Sequence, residues 1–215
     1  MNSILPVAND FLQKGNFTYA ICGGFALDIF TNTEMRVHSD IDICVFENDK
    51  EIIFQHMQIN NWSIYEFQGQ GIVRLIKELS DCQNGKNLVC VKENCEIIKF
   101  YLHDRNSNYF HYEFCNTGIR FFNYVEFLFN TSKMGKFIFD SKTDISRDMN
   151  KAILHRNYIP YLSPDLVLLY KSKDFNRNLN QFDFEKTFIK LDTEQKLWFY
   201  SSLDKLFPCG HQWRL

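Results

Sequence analysis

The sequence is short of what would mark a nucleic-acid, membrane or exported protein. Lysine and arginine number 24 against 26 acidic residues, a net charge of −2. No global basic field invites a polyanion, which argues against a nucleic-acid partner. No apolar run is long enough to span a bilayer, and no secretory leader is legible. The seven cysteines are odd in number and form no Cys-x-x-Cys pair. Free thiols in a reducing cytoplasm are the expectation. Neither Cys90 with Cys95 nor Cys209 with His211 has the spacing of a metal-ligand set. Internal repeats and low-complexity tracts are absent too. What is present is bulk: 215 residues, 45% of them hydrophobic, with 22 phenylalanines. That suffices for one large domain, or a domain with a helical appendage.

Hydrophobic periodicity predicts helices over 3–14, from about 49 onward, over 73–79, after Pro164 and over 197–206. Strands are expected over 18–22, 39–46, 62–67, 88–91, 96–102, 109–115, 121–129 and 136–140. Residues 81–86 read as a loop and 106–108 as a hairpin turn. Helices replace strands after about residues 150–157. The expectation is an α+β fold, with a mixed sheet flanked by helices over residues 1–155 and a helical C-terminal subdomain over 156–215. The aromatic interleaving of the middle strands suits sheet packing better than base stacking, because lysine and arginine are sparse there. It also leaves a homodimer open.

One stretch carries chemistry. A strand runs into Gly23-Gly24, a short apolar helix over 25–30 follows, and the next strand opens with Asp40-Ile41-Asp42. Alternation puts Asp40 and Asp42 on one face, Cα atoms about 7 Å apart, with Ile41 and Ile43 opposite. Carboxylates so placed suit a shared hard cation; Mg²⁺ takes one or two carboxylates together with substrate phosphates. The glycine pair lets backbone approach an anion, and the helix behind it offers unpaired N–H groups. Each feature alone has an ordinary explanation, as a tight turn, a solvated strand end or an ion pair. Asp42, however, sits in the apolar run 41–46, where an unpartnered carboxylate is costly. Glu126, between Val125 and Phe127, poses the same question: a cross-sheet salt bridge or a third carboxylate of a site. Further on, Ser163 has the place of an N-cap, Pro164 fits the first helical position and Asp165 suits the positive helix end. Lys171 closes that helix's apolar run, where it either complements the carboxyl end or reaches a phosphate. Asp192 to Gln195 has the spacing of a capping box.

Gly23-Gly24-x-Ala26-Leu27-Asp28-x-Phe30, then Arg36-x-His38-x-Asp40-Ile41-Asp42, resembles the nucleotidyltransferase superfamily. Within it, the pattern looks like the antibiotic-type branch, the aminoglycoside and lincosamide nucleotidyltransferases. Glu126 lies in a context similar to that branch's Glu-x-Leu-Leu-Asn, and residues 159–173 and Asp183-Phe184 resemble its later segments. The chain departs from the pattern at Asn32 (glycine there), Met35 (threonine) and Asp140-Ser141 (Arg-Arg). It departs again at Leu179, Asn180 and Gln181, which replace a lysine and acids. The resemblance implies Mg²⁺-dependent transfer of a nucleoside monophosphate from an NTP, ATP above all, to a hydroxyl of a small molecule such as an aminoglycoside or lincosamide. It implies Asp40, Asp42 and Glu126 as catalytic ligands of two metal ions, Glu126 alternatively taking the proton. Gly23, Gly24, Arg36, His38 and Lys171 would contact the nucleotide, and Asp28 would brace the loop or bind the acceptor. Two other outcomes stay open on sequence alone: transfer onto a protein or RNA, and nucleotide binding without catalysis.

Overall fold

Twelve short strands and seven α-helices make up the regular structure of the described residues. The computed structural model describes residues 4–82, 87–103, 108–115, 118–140 and 143–214. Ser3, Ser141, most of the loop expected over 81–86 and most of the turn expected over 106–108 lie outside the described residues. In chain order the elements begin α1 Ile4–Leu12, β1 Tyr19–Ile21, α2 Gly23–Thr31, β2 Asp42–Phe46, α3 Lys50–Ile59, β3 Ser63–Gly69 and β4 Ile72–Ile76. There follow β5 Asn87–Val91, β6 Ile98–Leu102, β7 Tyr109–Phe114, β8 Tyr124–Lys133, β9 Lys136–Asp140 and β10 Ile145–Asp148. The last elements are α4 Met149–Ala152, β11 Ile153–Arg156, β12 Ile159–Leu162, α5 Pro164–Ser172, α6 Asn178–Phe188 and α7 Thr193–Leu206. The fold is α+β, with a mixed sheet and helices gathered toward the C-terminus.

The chain forms two compact units, residues 1–19 with 35–130, and residues 20–34 with 131–215. In the first, strands pair in the order β2-β8-β5-β3-β4-β7-β6. Only β2 and β8 run parallel; the other neighbours are antiparallel. This sheet is strongly curled. The Tyr65 ring of β3 stacks on Phe100 of β6 at 4.3 Å between centroids, although two strands lie between them in the sheet. Phe114 of β7 meets Tyr124 of β8 at 6.1 Å with three strands between. A flat sheet would hold those pairs roughly 14 and 19 Å apart. The outer face carries Ile43 and Phe127, fully buried; there the Phe17 ring sets its edge on Phe127. The apolar stripes of α1 (Ile4, Leu5, Ala8, Leu12) and α3 (Ile53, Phe54, Met57) are buried too.

In the second unit β12 pairs antiparallel with β11 and parallel with β1, while β9 joins the end of β8 to β10. Buried α5 packs against α2, α6 and α7. Phe184 stacks on Trp213 at 4.4 Å, with Phe188 and Phe199 alongside. The box expected at Asp192 forms: its carboxylate accepts from Gln195 N at 2.8 Å, and Gln195 Oε1 accepts from Asp192 N at 3.1 Å.

The sequence expectations need three corrections. The helix expected over 73–79 is strand β4. Left-handed backbone at Gly69, Gln70 and Gly71 reverses the chain, and Val73 then pairs with Phe67 across a hairpin; a short apolar run has no periodicity of its own to decide the matter. The strand expected from residue 39 is paired only from Asp42, and the one expected over 121–129 is Tyr124–Lys133. Strands β10 to β12 occupy the region around the expected change to helices, because β12 finds a partner in β1, far away in sequence.

Candidate active site

Two neighbouring strands bring the acidic residues together. The β2 and β8 strands run parallel with Asp42 directly opposite Glu126, so both side chains leave the same face of the sheet. That face is the inside of the curl, since Val89 pairs with both Glu126 and Tyr65. Ile41, Ile43 and Val45 alternate to the other side and are fully buried, which fixes the register. Asp40, half-buried, lies just before the paired strand, and the intervening Ile41 carbonyl accepts from Glu126 N at 2.9 Å.

Glu126 has a partner that the sequence reading missed. The hydroxyl of buried Tyr124 donates to Glu126 Oε1 at 2.5 Å. The two residues are i and i+2 on one strand, the spacing that shares a face, and Tyr-x-Glu was the available signal. Burial pushes the Glu126 carboxyl up; the Tyr124 hydrogen bond pulls it down and the charge of Asp40 raises it again. Burial also raises the Tyr124 phenol, followed by the charge of and bond to Glu126, then the charges of Asp40 and Asp42. Three carboxylates thus act on one buried hydroxyl. Among the described residues no group of three or more His, Cys, Asp or Glu side chains is already gathered to hold a metal ion. At the far end of the pair, Asn130 Nδ2 donates to the Leu128 carbonyl at 2.7 Å and lies 3.3 Å from Cys44 Sγ.

Arg36 and His38 lead into this strand. Arg36 is half-buried and its Nη1 donates to the Val37 carbonyl at 3.3 Å. His38 is buried, and its carbonyl accepts from Ile119 N at 2.8 Å. The remaining expected residues belong to the second unit. There α2 starts at Gly23 itself, with φ of +61°, a left-handed value that suits glycine. Asn32 caps the helix in the same conformation, φ 55°, and donates its N–H to the carbonyl of buried Asp28; asparagine tolerates this conformation. The Lys171 ammonium is held 2.9 Å from Asp183 Oδ2 and 3.2 Å from Asn180 Oδ1. Ser163 is the N-cap residue of α5 by position but makes no capping hydrogen bond. Asp165 is fully buried, 2.7 Å from Arg147 Nη2. Arg147 also holds Glu194 through two bonds of 3.1 and 2.9 Å. No local signal in the sequence pointed to that cluster.

The aminoglycoside-2''-adenylyltransferase family profile matches residues 4–65. Among solved structures, the lincomycin-bound lincosamide antibiotic adenylyltransferase LnuA superposes with a TM-score of 0.53 at 16% identity, covering 85% of this chain and 93% of its own. The antibiotic-resistance factor ANT(2'')-Ia, in complex with adenylyl-2''-tobramycin, gives 0.52 at 8% identity, covering 94% and 98%. The chain has the fold of the antibiotic nucleotidyltransferases. A solution structure of ANT(2'')-Ia agrees, with a TM-score of 0.50 at 7% identity over 96% of both chains. No curated protein sequence matches the chain. The family match includes residues 23–42 and stops well before Glu126.

Proposed function

We propose that this chain transfers a nucleoside monophosphate from ATP to a hydroxyl of a small, antibiotic-like molecule. The observation that carries the reading is the direct pairing of Asp42 with Glu126 on one sheet face, with the Tyr124 hydroxyl bonded to the glutamate. The Asp40 charge raises the Glu126 carboxyl, and the charges of Asp40, Asp42 and Glu126 all act on the Tyr124 phenol; a cation would offset that negative charge, and Mg²⁺ would suit one or two carboxylates together with substrate phosphates. Asp40, Asp42 and Glu126 would hold Mg²⁺, two ions in the proposed scheme. Bound there, the cation supplies neutralisation of the leaving pyrophosphate and acidity for the attacking hydroxyl. Glu126, its carboxyl raised by burial, is suited to take the hydroxyl proton. The acceptor oxygen then bonds to the α-phosphorus as the bond to pyrophosphate breaks. Gly23 and Gly24 would cradle the phosphates with backbone N–H groups. Arg36 would neutralise the charge developing on them and His38 would add a contact. Lys171 would contribute through its ammonium, which Asp183 orients. Free thiols at all seven cysteines favour a reducing, cytoplasmic setting. Among the described residues no helix is long and apolar enough to cross a membrane.

The test is incubation with α-labelled ATP, Mg²⁺ and a panel of aminoglycosides and lincosamides. Label should pass to a small molecule, and Asp42→Asn should reduce the rate by about a hundredfold or more, the scale of losing a group that stabilises the transition state. Equal turnover by wild type and Asp42→Asn, or label passing only to protein, would remove the reading.

A further inference from the structure

The inner face of the curled sheet does not end at the carboxylates. Following the register from Glu126 through Val89 to Tyr65, and on across β4 and β7 to β6, the same face carries Tyr65, Phe67, Phe100, Phe110, Tyr112 and Phe114. The rings meet in two groups on this face, Tyr65 with Phe100 and Phe110, and Phe67 with Tyr112 and Phe114. Tyr65 stacks on Phe100; Phe67 meets Tyr112 at 5.0 Å, and Tyr112 meets Phe114 at 5.4 Å. Phe114 in turn sets its edge against Tyr124, the residue bonded to Glu126. A sealed core would bury all of them. Here Tyr65 at the base is buried, Phe67, Phe100, Phe110 and Tyr112 are half-buried, and Phe114, next to Tyr124, is 43% exposed. The Tyr65–Phe100 stack walls a cavity of ≈ 420 Å³ that also touches Val91, the strand partner of Tyr124. That volume is within the range of small-molecule sites, roughly 300–1,000 Å³.

Charge on this face is as informative as the rings. Across β3, β4, β5, β6 and β7 its described positions carry no acidic or basic side chain, while the outer face of the same strands bears Glu66, Arg74, Lys99 and Glu113. The cavity rim adds one charge of each sign, Lys92 and Glu93. A polycation would find no counter-charge there beyond Glu93 at the rim, itself beside Lys92, and the carboxylates at the sheet's end.

We infer that this aromatic face is the acceptor-binding wall, and that the acceptor is a hydroxyl compound with an extended apolar surface and at most one positive charge. The inference rests on the transferase reading for the word acceptor, and for its place on the ring path Phe67–Tyr112–Phe114–Tyr124 to Glu126 and on the sheet face that Tyr65 and Phe100 share with it. Phe114 and Tyr112 are then specificity residues: they offer area to the apolar surface and leave the hydroxyl toward Glu126.

The test uses the full chain in calorimetric titrations without nucleotide, with lincomycin as the probe of one kind and tobramycin as the polycation. Lincomycin should bind at least about tenfold more tightly, and Phe114→Ser should weaken lincomycin about tenfold, the order of one aromatic contact and its buried area. ATP binding by Phe114→Ser should match wild type, which also checks that the variant is folded; Tyr112→Ser provides a second variant. Tobramycin binding as tight or tighter, lincomycin affinity indifferent to both substitutions, or binding of neither compound would overturn the inference. Labelled transfer separates the two readings. Label on tobramycin and not on lincomycin leaves a transferase without this wall. Phe114-dependent lincomycin binding with no transfer to any acceptor leaves the wall without the transferase.

Discussion

Tyr124 is the residue on which the acidic pocket depends. Its hydroxyl is the hydrogen-bond donor that opposes burial and the Asp40 charge at Glu126, and its ring is held by Phe114. Tyr124→Phe keeps the ring and removes the donor. A hydrogen bond to a charged group contributes roughly 1.5–3 kcal/mol, so kcat for nucleotidyl transfer should fall about 10–100-fold. KM for ATP should change by less than about twofold, because only the positioning of Glu126 is lost. Steady-state kinetics of the folded variant give both values, and an unchanged kcat would show that the tyrosine merely packs.

The junction of β1 and α2 shows how much of an element is written locally. The glycine pair, the apolar helix and Asp-x-Asp were legible because each follows from neighbours within a few residues: left-handed backbone at Gly23, a helix ended at Asn32, alternation through Ile41 and Ile43. The capping box at Asp192 was legible for the same reason. Pairings between distant segments were not. Asp42 and Glu126 are far apart in the chain, and local periodicity does not pair them; only the family resemblance of the residues around Glu126 placed the two in one site, and their direct register needed the fold. Val73 joined a hairpin instead of a helix because Phe67 was there to pair with it. The ion pair of Arg147 with Asp165 likewise needed the fold to bring together residues that have no shared periodicity. The local part makes its own prediction. Gly23 has φ of +61° at the helix start, and a side chain there costs about 1–2 kcal/mol. Gly23→Ala should lower the melting temperature by about 2–8 °C and weaken ATP binding, since the distortion falls on the N–H groups proposed to cradle phosphate. Thermal denaturation and ATP titration of one preparation check both, and an unchanged melting temperature would contradict the left-handed backbone.

For the molecule as a whole, small charge and abundant apolar side chains leave few ionised groups in the interior, and those few weigh on its stability. Asp165 is the clearest. Burial pushes its carboxyl up from 3.8 to about 6, against the pull of Arg147. Its folded pKa therefore lies above its unfolded one, so between about pH 4 and pH 6 the native state holds a proton that the unfolded chain has released. Stability from this group is present at low pH and lost as pH rises through about 6. The size is roughly 3 kcal/mol at 1.36 kcal/mol per pKa unit. Asp165→Asn carries no such proton and leaves Arg147 its two bonds to Glu194. Relative to that variant, wild type should lose about 3 kcal/mol of unfolding free energy between pH 4 and pH 7. Urea denaturation followed by tryptophan fluorescence measures it, because Trp198 lies 4.7 Å from the Arg147 guanidinium and senses this cluster. A constant difference between the two proteins across that range would mean that Arg147 fully compensates the burial of Asp165 and that its carboxyl titrates in the ordinary range.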